Sequence, residues 1–185
     1  MQPSSSSKQS MLNAFILLLE KKSYADITIT DICREASVSN KTFYNYFENK
    51  QALVKAIIYA DFAEPVLQIR SILPVDNIAG ATKFMADSNH QRLYDHKEIY
   101  QNLLRSYGSH ELKDDITEIV YNLNLGILGN YGFAQEETEF ASYFLAAAGA
   151  DLHIWWLTKR PDLSVEKFTD FFIDWCFARF REIGR

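Results

Sequence analysis

Of the side chains between Thr28 and Lys50 that carry hydroxyls, amides or cationic nitrogens, nine stand out: Thr28, Ser39, Asn40, Lys41, Thr42, Tyr44, Asn45, Tyr46 and Lys50. Each can donate a hydrogen bond, and two carry positive charge. Donors at this density suit an acceptor-rich, anionic partner. The phosphates and base edges of duplex DNA are such a partner. Phe43 and Phe47 are interleaved with these donors, and Ile32 and Val38 stand close by in the chain. The stretch therefore reads as two-faced, with rings behind and donors in front.

Short helices are needed to sort the two faces. Thr28 is placed as an N-cap, with Asp31 three residues on in a capping-box arrangement that uses the shorter acid. Ile29, Ile32, Cys33 and Ala36 then form the inner stripe of a helix of about two turns. A turn follows at "SVSN", where Val38 points inward and Ser39 caps the helix "NKTFYNYF". Asn49 caps a longer helix with Leu53, Val54, Ile57 and Ile58 on its inner face, and Pro65 is expected to end or kink it. An amphipathic helix from about Ser7 to Lys22 precedes the group, with Met11, Leu12, Ala14, Phe15, Leu18 and Leu19 at three-and-four spacing. Two short helices across a tight turn, braced on both sides, make a helix-turn-helix. In that unit the second helix enters the major groove.

The pattern T-I-x-D-I-x-x-x-A-x-V-S-x-x-T-F-Y-x-Y-F-x-N-K-x-x-L, from Thr28 to Leu53, resembles the DNA-binding domain of the TetR family of bacterial transcriptional regulators. The likeness covers about residues 8–58. It implies a homodimer whose two recognition helices read half-sites of a pseudo-palindromic operator. It also implies that Thr28, Tyr44, Tyr46 and Lys50 contact phosphates, and that Asn40, Lys41, Thr42 and Asn45 face base edges. Two departures stand out. Ser37 occupies a turn position where the family usually has glycine, and Lys41 a position that is often glycine or another small residue. Capping alone would account for Thr28 and Ser39, and packing for the two tyrosines. Arg34 reads as a solvated helix charge.

Composition bounds the rest. The 185 residues are 48% hydrophobic and 23% charged with few glycines and prolines, which points to an all-α fold of about nine helices. Two regions are expected: residues 1–58 as the DNA-binding domain and 59–185 as a helical dimerisation and effector-binding domain. Net charge is −5, yet residues 1–60 hold seven Lys and Arg against five acids, so the excess acid lies downstream. Cys33 and Cys176 are far apart and match no ligand spacing, so no disulfide or zinc site is expected. No secretion signal or membrane span is read, and the expected location is the cytoplasm. No nucleophile motif, phosphate loop, HExxH or paired cysteines suggest an enzyme, and neither a cofactor nor a metal is expected.

The family resemblance places the dimer interface on the last two helices, about 137–158 and 164–182. Ala147, Ala150, Ile154, Phe171, Phe172 and Trp175 are its expected members, with Phe180 extending the apolar face. The same resemblance allows a small-molecule effector among the middle helices. Tyr94, Tyr100, Leu103, Leu104, Tyr107, Tyr121, Phe144 and Trp155 are the candidate lining, with core packing as their ordinary alternative. His153 reads as a hydrogen-bonded core histidine. The segment from Phe144 to Phe172 also resembles a subset of TetR-like proteins from low-GC Gram-positive bacteria. That likeness leaves open a coactivator or protein-interaction module on the same fold.

Overall fold

The computed structural model describes residues 5–70, 78–130 and 133–176. Ten α-helices and no strands occur among these residues. They are α1 Ser5–Lys21, α2 Ile29–Glu35, α3 Asn40–Tyr44, α4 Lys50–Ile58, α5 Glu64–Arg70, α6 Ile78–Asp95, α7 Lys97–Ser106, α8 Ser109–Leu128, α9 Gln135–Lys159 and α10 Val165–Cys176. A 3-10 turn at Tyr24–Asp26 leads into α2, and a π-helical turn at Tyr59–Ala63 joins α4 to α5.

The predicted stripe of α1 is buried, and it packs with Ile32, Phe43, Phe47, Leu53, Val54 and Ile57 in one core. Phe43 is 0% exposed. Its loss to alanine would cost about 3–5 kcal/mol, enough to undo this small unit. Thr28 and Asp31 form the full capping box: Asp31 N–H donates to Thr28 Oγ1 at 3.1 Å and Thr28 N–H to Asp31 Oδ2 at 3.1 Å. Ser37 has φ 54°, so the glycine-favouring turn is made by a serine.

The long fourth helix expected through Pro65 is divided by the π turn, and the cause is visible. In an i→i−5 register Pro65 would donate to the Ala60 carbonyl, but proline has no N–H. Arg92 of α6 takes that carbonyl instead, at 3.2 Å, and Asn89 Nδ2 donates to the Phe62 carbonyl at 3.2 Å. The expected boundary between residues 58 and 59 falls where this turn begins.

Downstream, α8 and α9 make the most extensive helix pair, and α10 lies against α6. Trp156 locks the α9–α10 corner: it stacks on Phe168 at 4.1 Å and donates from Nε1 to the Leu163 carbonyl at 2.9 Å. The expected continuation of the last helix, with Phe180, lies outside the described residues.

Three polar clasps hold the first four helices to the rest. Asn102 of α7 donates to the Leu19 and Lys22 carbonyls at the end of α1, at 2.6 and 2.9 Å. Lys55 of α4 meets Glu118 at 2.6 Å and the buried Asp115 at 3.3 Å. Asp61, inside the π turn and itself buried, accepts from His96 Nδ1 at 2.8 Å and from the Tyr100 hydroxyl at 2.9 Å. The Asp61 hydrogen bond raises the His96 pKa, whereas burial first and Asp61 second keep the Tyr100 phenol far above its ordinary range.

Candidate nucleic-acid interface and internal cavity

The donors of α3 stand as a row because Phe43, with Phe47 just beyond it, is turned inward. Ser39 Oγ accepts from Thr42 N–H at 3.0 Å and lies 2.8 Å from Thr42 Oγ1, which fixes the first turn of the helix. Asn40, Lys41, Tyr44 and Asn45 are exposed, Tyr44 by 59%, while Thr42 and Tyr46 are half-buried. Thr28 is exposed at the start of α2. Its oxygen accepts the capping bond, so its O–H proton is still free to donate outward. Capping and phosphate contact are therefore compatible at this residue.

Lys50 departs from the expected arrangement. Its ammonium donates to the Tyr24 carbonyl at 2.6 Å and the Ile27 carbonyl at 2.7 Å, and lies 3.9 Å from the centre of the Tyr24 ring. Burial lowers its pKa. Two of its three N–H groups thus brace the loop that delivers Thr28. Arg34 pairs with Asp31 at 2.7 Å, and Lys22 with the same carboxylate at 2.9 Å. The Lys22 hydrogen bond, with the Thr28 backbone and hydroxyl, holds the Asp31 carboxyl well below the usual carboxylate range.

The second site is a cavity of about 160 Å³ bounded by the π turn and α5, α6, α8, α9 and α10. Val66, Met85, Ile116, Leu145 and Phe172 represent its largely carbon wall. Asn89, His90, Asn124 and His153 are the polar residues along it. None of the eight expected lining residues reaches it, so that expectation is corrected. Tyr100 is buried but faces Asp61, and Tyr107 gives its hydroxyl to Asp115 at 2.6 Å. Burial first, then this carboxylate, pushes the Tyr107 phenol far above its ordinary range. Leu103 and Leu104 belong to the shared core, and Tyr94 stacks on Trp156. Tyr121 packs edge-on against Tyr143, and Phe144 and Trp155 face outward. These rings mark packed seams and the outer surface; the aromatic rings that reach the cavity are instead Phe62, Phe133 and Phe172.

His153 is buried as expected, but neither of its ring nitrogens has a hydrogen-bond partner, which corrects the expected satisfied histidine. Burial lowers its pKa to about 4; the Gly149 backbone lies near enough to raise it slightly, but not in hydrogen-bonding geometry. His90 Nδ1 lies 2.8 Å from Thr169 Oγ1, whose own proton goes to the Val165 carbonyl at 2.9 Å. His90 must then present Nδ1–H to the hydroxyl. Asn89 and Asn124 were legible as amides on otherwise apolar helix faces, a signal that ring-counting passed over.

A third feature is apolar and external. Phe140, Tyr143, Phe144 and Trp155 on α9, with Phe171 and Trp175 on α10, are large and exposed, Trp175 by 85%. Ala147 and Ile154 are half-buried beside them. Ala150 was expected on this face but is 1% exposed and lines the cavity, because it lies on the inner side of α9. Phe172 also turns inward and lines the cavity, half-buried.

The family model described as "Bacterial regulatory proteins, tetR family" matches residues 11–57, and one described as "Transcriptional regulator C-terminal region" matches residues 90–175. The chain belongs to the tetR family of bacterial regulatory proteins. Its described residues form the all-α tetR fold. The dhaKLM operon transcriptional activator DhaS of Lactococcus lactis subsp. lactis (strain IL1403) is 41% identical over 51 residues, 28% of this chain and 27% of that protein. The chain thus spans about a quarter of that curated relative's length. Among solved structures, the dihydroxyacetone kinase operon activator DhaS superposes with a TM-score of 0.61 at 20% identity, covering 95% of this chain and 96% of that one. A TetR transcriptional regulator from Rhodococcus sp. RHA1 gives a TM-score of 0.66 at 17% identity, covering 94% of each chain. Likeness at these identities shows the fold. No described helix is long and apolar enough to cross a membrane, and no cluster of metal-ligating side chains occurs among the described residues.

Proposed function

We propose that this chain is a cytoplasmic repressor that binds a pseudo-palindromic operator as a homodimer and is released by a small molecule in its internal cavity. It performs no catalysis. The observation that carries the reading is the outward row of α3 donors over a buried aromatic floor. Asn40, Lys41, Thr42 and Asn45 would meet base edges, while Thr28, Ser39, Tyr44 and Tyr46 would fix the register on phosphates. Lys50 acts mainly by holding the Tyr24–Ile27 loop. The exposed aromatics of α9 and α10 would meet their own copies across a two-fold axis, as a large apolar patch on a symmetric dimer requires.

Release would work through the π turn. The cavity touches Phe62, which lies between the operator-reading helices and the rest. The three clasps carry any shift of α6–α8 to α1 and α4. A ligand changes operator affinity only through unequal affinity for the two spacings of the recognition helices. The likeness to an operon activator favours a second reading, in which the bound chain activates transcription or recruits a partner protein.

Fluorescence anisotropy with a selected operator tests the reading. Affinity should fall steeply with added salt, and Lys41→Ala should cost about 1–3 kcal/mol and relax preference at the base pair it faces. Binding that ignores both salt and this substitution would overturn it.

A further inference from the structure

The cavity specifies a chemical class of effector, an inference that rests on the release reading above. Its volume of about 160 Å³ is close to that of a pocket able to hold benzene, so it suits about six to eight non-hydrogen atoms. Among the described residues, no lysine, arginine, aspartate or glutamate lines it. A carboxylate, phosphate or ammonium inside would have no counter-charge, and an unpaired buried charge is heavily disfavoured. The two histidines do not supply one at neutral pH, since burial holds both towards the neutral form.

Two side chains along the wall have unused hydrogen-bonding atoms. Asn89 commits Nδ2 to the Phe62 carbonyl, and its buried Oδ1 has no partner. His153 is 7% exposed, and both its ring nitrogens are buried without partners. A neutral imidazole offers one N–H and one bare nitrogen, whereas the free amide oxygen can only accept. Phe62 links the pair, with its carbonyl on Asn89 and its ring 5.3 Å from the His153 ring. Among simple functional groups, a hydroxyl satisfies both: it donates one bond and accepts another.

We propose that the cavity takes an uncharged, mainly apolar molecule carrying one hydroxyl, whose O–H donates to Asn89 Oδ1 and whose oxygen accepts from the His153 ring N–H. Such a ligand bonds the same amide that holds the Phe62 carbonyl in the π turn. Ligand occupancy is therefore one side chain away from the helix joining the two halves of the molecule.

Titration calorimetry of the full chain with phenol, toluene and benzoate at pH 7 tests the class. Phenol should bind, toluene at least tenfold more weakly, and benzoate not measurably. The ¹⁵N shifts of the His153 ring should move with phenol and stay in place with toluene. Asn89→Leu should erase the preference for phenol over toluene, and circular dichroism checks that the variant is folded. Toluene binding as tightly as phenol, benzoate binding as tightly as phenol, or no binding of any of the three would each overturn the proposal. Operator affinity is measured separately with and without saturating phenol. Phenol binding with unchanged operator affinity supports the ligand class and removes the release reading.

Discussion

The two ends of the chain invert one another. Around α3 the two phenylalanines are inside and the hydroxyls and amides outside, whereas α9 and α10 expose six large rings while two histidines are buried beneath them. The small unit turns Phe43 and Phe47 inward onto the aliphatic side chains of α1, α2 and α4, and its surface is then free for polar recognition. The larger helical region has aliphatic side chains enough for its own interior. It can present Phe140, Phe144, Phe171 and Trp175 to another apolar surface. The difference teaches that aromatic content alone does not locate a core, and that what lies beside the rings decides.

The comparison can be broken most forcefully at the outer rings. Phe144→Arg with Phe171→Arg should weaken self-association about a thousandfold, since buried aromatic anchors at interfaces are each worth about 2 kcal/mol or more. Sedimentation velocity would show monomers and a loss of operator binding with them. An unchanged dimer would place the interface elsewhere. At the other end, Asn40→Ala or Asn45→Ala should each cost about 1–3 kcal/mol per bidentate base contact and relax preference at a single operator position. Competition binding against single-base operator variants reads both effects.

The buried histidines sharpen the contrast through pH. His153 titrates near 4 when folded and close to its ordinary value when unfolded, so the unfolded chain binds the extra proton in that window. Stability is therefore complete above the ordinary histidine pKa and falls as pH drops towards 4, by about 2 kcal/mol between pH 7 and pH 5. Urea titrations of wild type and His153→Phe should show that part of the slope disappear in the variant. A smaller effect is expected at the turn. Ser37→Gly removes a left-handed serine and should stabilise by about 1 kcal/mol, a rise in Tm of about 2–4 °C.

The helix-turn-helix was legible in the sequence because its signals are local. Thr28 with Asp31, Ser39 before its helix and Asn49 before the next are caps whose partners lie three residues away. The strained turn at Ser37 was readable for the same reason. The cavity was not, because it exists only where six helical elements fail to fill the space between them. Asn89, Asn124 and His153 are far apart in sequence, and each alone looks like an ordinary polar residue within a helix. The bracing bonds of Lys50 were not legible, because its acceptors, Tyr24 and Ile27, lie more than twenty residues back in the chain. Ala150 and Ala147 differ by less than one helical turn, so composition could not tell the inner from the outer side of α9.

The most direct test is selection from a pool of random duplex DNA with the purified chain at low ionic strength. The account predicts enrichment of one inverted repeat, with both half-sites protected and the selection abolished by combined Asn40→Ala and Lys41→Ala substitutions. A pool that emerges without a shared motif, or a motif selected equally well by the doubly substituted chain, would contradict it.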